Sequence, residues 1–252
     1  MKKIFIFLFI LISIFSCKKQ DAVDNSPTGT PITNIVPNDS SSYQALFSCL
    51  TSYFKNAGIF YPGNKITSAY YSNQLITNEI YSAANLQDMG TVSLNNVIFK
   101  NKSIVTNFYY NDTSATQFTS PHNWEISGTP SISTFSWSNA NALPTFTASS
   151  NIPDSVTLSS GFTIPIKGTT NCNLIRVFIQ GGVGSSVYPS KLFSGTDTIL
   201  SFSASEIQGL TTTNTGYISV QLFKDHYRTI GGKRINFRTG LQYSNSFLKI
   251  KP

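Results

Sequence analysis

The chain has 252 residues, and Ser (35), Thr (27) and Asn (22) make up one third of it. Charged residues are 12%, hydrophobics 40% and aromatics 13%, against about 25% charged residues in an average soluble domain. This excludes a coiled coil, a charged-tail protein and a wholly disordered chain. What remains is a β-rich protein whose outward positions are polar without being charged.

Lys2 and Lys3 precede an apolar run from Ile4 to Phe15 that only Ser13 interrupts. A helix of that length spans about 18 Å, well short of the ~30 Å hydrocarbon core, so residues 1–16 read as a signal peptide rather than a membrane span. The run ends at Ile14-Phe15-Ser16-Cys17, which resembles the lipobox of bacterial lipoproteins. The resemblance implies that Cys17 carries a diacylglycerol on sulfur and a further acyl chain on its freed amine, a combination that anchors a protein stably. Residues 17–42 then contain Pro27, Pro31 and Pro37 among polar residues with no apolar periodicity, the composition of a flexible tether. Lys18-Lys19-Gln20-Asp21 resembles the signals that send Bacteroidota lipoproteins to the cell surface. The implied location is the outer membrane, at the cell surface or facing the periplasm. Asp154-Ser155-Val156 and Asp197-Thr198-Ile199 resemble O-glycosylation acceptors of the same phylum.

With Cys17 lipidated, Cys49 and Cys172 remain, 123 positions apart. They read as two buried free thiols, although a bridge would staple distant parts of the chain. No CxxC occurs and there are only two His, so neither a metal nor a cofactor is expected.

Leu46, Cys49, Leu50 and Tyr53 fall at helical spacing, which predicts a short helix over Tyr43–Phe54. Ile66–Tyr71, Thr91–Leu94, Val97–Lys100 and Ile104–Tyr110 read as strands, with turn chemistry at Asn95-Asn96 and Asn101-Lys102. Trp124, Ile126, Phe135, Trp137 and Phe146 alternate with polar residues, which places both Trp in the core. From Pro153 the strands are Ser155–Leu158, Phe162–Lys167, Leu174–Gln180, Ser186–Leu192, Thr198–Phe202, Tyr217–Lys224, Arg234–Tyr243 and Phe247–Ile250. Asp225-His226-Tyr227-Arg228 and Gly231-Gly232 fall in the connection between the last two long strands. Ser203–Leu210 reads as a crossover.

The expected fold is all-β: two tandem β-sandwich domains behind the signal peptide and tether. The domains are a β-rich one over 43–149 and a second over 150–252, with the boundary near Ala148–Asn151. The second resembles an immunoglobulin-like sandwich in the number and spacing of its strands, without the Cys…Trp…Cys signature of antibody domains.

Residues 43–148 carry four Lys and four acids, whereas residues 149–252 carry ten Lys or Arg and four acids. Arg234, Asn236 and Arg238 share a strand face opposite Ile235 and Phe237. This predicts an outward basic strip able to meet an anionic glycan or an acidic partner, with no specific nucleic-acid role. The pairs Tyr70-Tyr71 and Tyr109-Tyr110 each send one ring to each side of a strand. The outward two would form a platform on which sugar C–H faces can pack. Hydrolase and nucleotide motifs are missing, and Gly181-Gly182-Val183-Gly184 lacks a following helix. His122 and His226 have no ligand or base at useful spacing.

The expected function is therefore a non-enzymatic binding or accessory module, anchored to the membrane and taking a glycan or an envelope protein. In its anchor and its Ig-like domain it resembles the starch-system accessory lipoproteins. The alternatives are a structural subunit or adhesin of an envelope assembly, and a hydrolase with a fold-assembled Ser/His/Asp site.

Overall fold

The computed structural model describes residues 42–77, 83–101, 107–111, 120–140, 142–147, 151–185 and 187–252. The signal peptide, Cys17, the tether up to residue 41, residues 104–106 and residues 148–150 at the expected boundary lie outside them. The described chain is all-β apart from short helical turns.

The first strand, β1 (Tyr43–Asn56), runs through the segment expected to be helical. It turns at Ala57-Gly58, where both φ angles are positive, into the 18-residue β2 (Ile59–Ile76). Helical spacing misleads here because β1 is paired on both edges and, from Ala45 to Cys49, buried on both faces. Ala45, Phe47 and Cys49 occupy one face and Leu46 and Leu50 the other. An apolar residue at both parities erases the period of two.

After β3 (Leu86–Gln87), the strands β4 (Val92–Leu94) and β5 (Val97–Ile98) meet at Asn95-Asn96, both in the left-handed region. That is the hairpin chemistry read from the sequence. There follow β6 (Lys100–Asn101), β7 (Phe108–Asn111), β8 (His122–Ile126) and β9 (Phe135–Asn139). The second half holds β10 (Ser155–Thr157), β11 (Phe162–Pro165), β12 (Leu174–Gln180), β13 (Ser190–Ser194) and β14 (Ile199–Phe202). A one-turn helix α1 (Ala204–Ile207) lies within the expected crossover, and the Glu206 carboxylate accepts from the Ser203 N–H at 2.8 Å.

The last two strands, β15 (Thr213–Ile230) and β16 (Lys233–Lys251), form a long hairpin around Gly231-Gly232, whose φ angles are +56° and +75°. Asp225–Arg228, expected in the connection, instead belong to the paired strand. Polar residues there are tolerated because the strand register supplies partners for them.

One ten-stranded sheet, in the order β13-β12-β15-β16-β1-β2-β7-β6 with β10 and β3 attached at its side, carries strands from both halves. The joint is a parallel pairing of β1 with β16 over eleven register positions, Ala45↔Ile235 to Lys55↔Asn245. Two tandem sandwiches are therefore not confirmed, since one large sheet serves both halves.

On one face of that sheet, Ala45, Phe47, Ala69, Tyr71, Ile235 and Phe237 pack against Val92, Leu94, Trp124 and Ile126 of the four-stranded sheet β5-β4-β8-β9. Trp124 is fully buried and meets Phe47 edge-on at 5.2 Å, while Trp137 is half-buried and stacks on Phe237 at 5.3 Å. Further along the same face, Ile175, Val177, Val220, Leu222 and Leu241 pack against Ile164, Leu200, Phe202 and Ile207 of the β11–β14 pair and α1. The segment joining the halves is latched to the sheet. The buried Lys55 ammonium donates to the Ile152 carbonyl at 3.0 Å and pairs with Asp154 at 2.8 Å. The Asn245 amide donates to the Pro153 carbonyl and the Asp154 carboxylate, each at 3.1 Å. Cys49 is buried and Cys172 half-buried, and both are free thiols.

Lys55→Ala strands a buried carbonyl, so it should lower unfolding free energy by about 1–3 kcal/mol, read as the urea midpoint at unchanged slope. No change would show that the latch holds nothing. In the small sheet, burial holds the His122 imidazole below its usual range. The unfolded chain, titrating near pH 6.5, then takes up its proton first. This contribution to stability is complete above pH ~6.5 and is lost as pH falls below that value. The urea midpoint of the native chain should fall more steeply from pH 7 to pH 5 than that of His122→Gln. Parallel curves would refute the assignment.

Candidate binding face

The opposite face of the large sheet carries the polar and aromatic residues, and strand register arranges them in rows. Phe178, Ser219, Ser244, Phe54 and Tyr61 form one row across β12, β15, β16, β1 and β2. Arg176, Gln221, Gln242 and Ser52 form the next. Leu174, Phe223, Gly240, Leu50 and Ile66 make a third, apolar row. Beyond it lie Asp225, Arg238, Ser48, Ser68 and Tyr110, then Tyr227, Asn236, Leu46, Tyr70 and Phe108.

In the two rows farthest from the latter pair, every side chain but those of Ser219 and Ser244 is partly or fully exposed. Phe54 and Tyr61 are 43% and 41% exposed and stack at 5.9 Å between ring centroids. Phe178 is half-buried beside Tyr217, at 6.1 Å. Between these aromatic pairs Ser219 and Ser244 are both buried. Gln221 donates to the Gln242 carbonyl oxygen at 3.0 Å, and Gln242 donates to the Tyr217 hydroxyl at 3.0 Å. Phe54, Tyr61, Phe178 and Tyr217 belong to none of the hydrophobic clusters among the described residues.

The far rows are closed. Arg238 and Asp225 are both buried and form a bidentate pair, Nε to Oδ1 at 2.6 Å and Nη2 to Oδ2 at 2.7 Å. The Tyr227 hydroxyl also donates to Asp225 Oδ2, at 3.2 Å. The Arg238 guanidinium lies 4.1 Å from the Phe223 ring centroid, and that of Arg234 lies 4.7 Å from Tyr227. Gly240 makes room for this stack, because a Cβ there would sit 2.8 Å from Leu50 and 2.9 Å from Phe223 side-chain carbons. Tyr70 is buried, stacks on Phe108 at 5.6 Å and shares a hydroxyl–hydroxyl contact of 3.3 Å with Tyr43.

Register thus brings Tyr70, Arg234 and Arg238 onto one face, as their alternation demanded, but not as an open surface. The expected outward basic strip is corrected: Asn236 is fully buried and Arg238 is neutralised by Asp225. The reason is position, since β16 is flanked on both sides and Tyr227, Leu46 and Tyr70 crowd the adjoining rows. The expected tyrosine platform is corrected too. Tyr71 and Tyr109 point to the other face and are buried in its core. There Tyr71 donates to the Ser131 carbonyl at 3.1 Å. The Tyr109 hydroxyl, pushed up to about 12 by burial and then by the Asp88 carboxylate, donates to Asp88 at 2.5 Å. The backbone of Tyr110 pairs with Ser68, while its side chain lies outside the described ones. Phe54, Tyr61, Phe178, Tyr217, Gln221 and Gln242 were not singled out from sequence, although each occupies a polar-face parity of a recognisable or misassigned strand.

Two open clefts lie elsewhere among the described residues. One of about 490 Å³ lies over Ser93, Glu125 and Ser136 on the small sheet. The other, of about 440 Å³, lies where β16 changes partner from β1 to β10, between Lys55, Asp154, Asn245, Phe247 and Lys249. His122 sits on the small sheet and His226 on the large one. No group of three His, Cys, Asp or Glu side chains suited to a metal occurs among the described residues.

Arg238→Met would leave the Asp225 carboxylate buried and unpaired, with an expected loss of about 3–5 kcal/mol by chemical denaturation. Adding Asp225→Asn should restore part of it. A single variant as stable as the native chain would show that the pair is solvated. The chain matches no known family model, no curated protein and no solved structure.

Proposed function

We propose that this chain is a lipid-anchored, non-enzymatic binding module of the bacterial envelope, held in the outer membrane through Cys17 and presenting its β-rich part to a glycan or a partner protein. The observation that carries this reading is the half-exposed pair of rows on the large sheet. Aromatic rings and amides are displayed there on a rigid central set of strands, the composition and support expected of a recognition surface. Paired strands fix each side chain, so little ordering is required when a ligand docks. In the same reading residues 150–252 form an immunoglobulin-like sandwich, closed by the β11–β14 pair, that supports the surface. The lipobox and tether support an anchor that leaves this surface free to meet a large ligand.

Two measurements test the proposal. After high-salt washing, the native chain should stay with the membrane fraction and Cys17→Ala should be released. Retention of the variant would defeat the lipid anchor. The full-length chain in detergent, offered immobilised polysaccharides and detergent-extracted envelope proteins, should show saturable binding to one of the two classes. Absence of both would defeat the binding module.

A further inference from the structure

Resting on that binding reading, we infer that the cleft where β16 passes from β1 to β10 holds one sugar unit of a neutral glycan, stacked on Phe247 and hydrogen-bonded to the Asp154 carboxylate.

Strand pairing creates the cleft. β16 pairs with β1 up to Asn245 and with β10 from Lys249. Its register against β15 shifts in between, since Ile218 faces Asn245 and Gly216 faces Leu248. Phe247 lies in this irregular stretch, and its side chain is 60% exposed where it lines the cleft. One buried amide orders both parts of the site. The Asn245 carbonyl oxygen accepts from the Phe247 N–H at 2.9 Å, and its amide nitrogen donates to Asp154 Oδ1 at 3.1 Å. The buried Lys55 ammonium meets the same oxygen at 2.8 Å. Asp154 Oδ2 has no partner among the described residues, and the side chain is 71% exposed. A carboxylate pinned through one oxygen offers the other with its direction already set, so a ligand hydroxyl docks without ordering the side chain. Asn56 and Lys249, both exposed, line the same cleft and add donors. Its volume of about 440 Å³ falls within the range of small-molecule sites, about 300–1,000 Å³.

Charge decides the ligand class. The charged residues lining the cleft are Lys55, Asp154 and Lys249. An anionic ligand would meet the free oxygen of Asp154, and a cationic one the ammonium groups of Lys55 and Lys249. A hydroxyl avoids both costs, because it donates to Asp154 and accepts from Lys249 or the Asn56 amide. Hydroxyls joined to a flat apolar face describe a sugar ring, whose C–H side packs on an aromatic ring such as Phe247. The layout also disfavours a protein. Protein anchors fill well-packed, fully desolvated pockets, whereas here a single exposed ring stands beside an exposed carboxylate.

The test uses the full-length chain in detergent at physiological salt, on sensors coated with an α-glucan, a β-glucan, a mannan or, as the anionic probe, polygalacturonate. A neutral polysaccharide should bind the native chain saturably. Phe247→Ala, at an exposed position, should weaken binding at least about tenfold in apparent Kd, equivalent to ~1.4 kcal/mol. Asp154→Asn, which keeps Oδ1 and turns the free oxygen into a donor, should also weaken it. Ile98→Ala, exposed on the small sheet, should leave it unchanged, and thermal melts confirm that each variant folds. Binding that survives Phe247→Ala overturns the cleft while leaving a binding module standing. Binding lost with Phe247→Ala but untouched by Asp154→Asn overturns the part given to the carboxylate. Binding to polygalacturonate alone overturns neutral specificity. No binding to any polysaccharide, with capture of envelope proteins, overturns the sugar site and keeps the module; loss of both overturns the two together.

Discussion

The structure depends on the pairing of β1 with β16. A 19-residue strand at the end of the chain takes its hairpin partner β15 on one edge and the first described strand on the other. That contact spans nearly the whole described sequence, and it is parallel, so no turn can enforce it. What specifies it is burial. Phe47 stacks on Phe237 at 5.3 Å and Tyr53 on Tyr243 at 5.0 Å, each pair being register partners. A slip of one residue would send these rings to the wrong face of the sheet. Closing such a long-range contact costs more loop entropy than forming the local hairpins.

Because one sheet serves both halves, its two faces have different tasks. One face is covered in two places, by the four-stranded sheet and by the β11–β14 pair with α1, and there the residues are aliphatic and aromatic. The other face grades from a closed polar and aromatic region to a half-exposed one. The apolar row through Phe223, Gly240 and Leu50 divides them, and the Arg238 guanidinium stacks on that row's Phe223. A buried ion pair on this side contributes less to net stability than an apolar substitute would, yet removing one partner is costly.

The scarcity of charge acquires a physical explanation from this arrangement. Central strands leave few side chains fully in water. Lys55, Asp225 and Arg238, which are buried, are each matched to a partner. Serine, glutamine and tyrosine fill the half-exposed positions where a charge would be partly desolvated without compensation. The Ser, Thr and Asn abundance is thus a property of an extensive sheet whose second face is polar and half-wet.

Much of the local structure was legible in the chain. Asn95-Asn96 and Gly231-Gly232 marked hairpins, alternation located the strands of the second half, and Trp124 belonged where its pattern put it. Tyr43–Phe54 differs from its expected helix because its first half is buried on both faces and shows no alternation, and Asp225–Arg228 differs from its expected connection because polar residues imitate a loop when their strand partners are unknown. Candidate residues followed the same logic. Parity correctly grouped Arg234 with Arg238 and separated Tyr70 from Tyr71, since parity is a property of one strand. Burial is a property of neighbouring strands, so the sequence could not reveal that Arg238 meets Asp225, that Tyr109 reaches Asp88, or that Phe178, Ser219, Ser244, Phe54 and Tyr61 stand in one row. By itself the sequence determined the β-rich class, the turns and which side chains share a strand face. Only the tertiary structure decided which faces are covered, because that depends on a parallel pairing between the two ends of the described chain that no local pattern encodes.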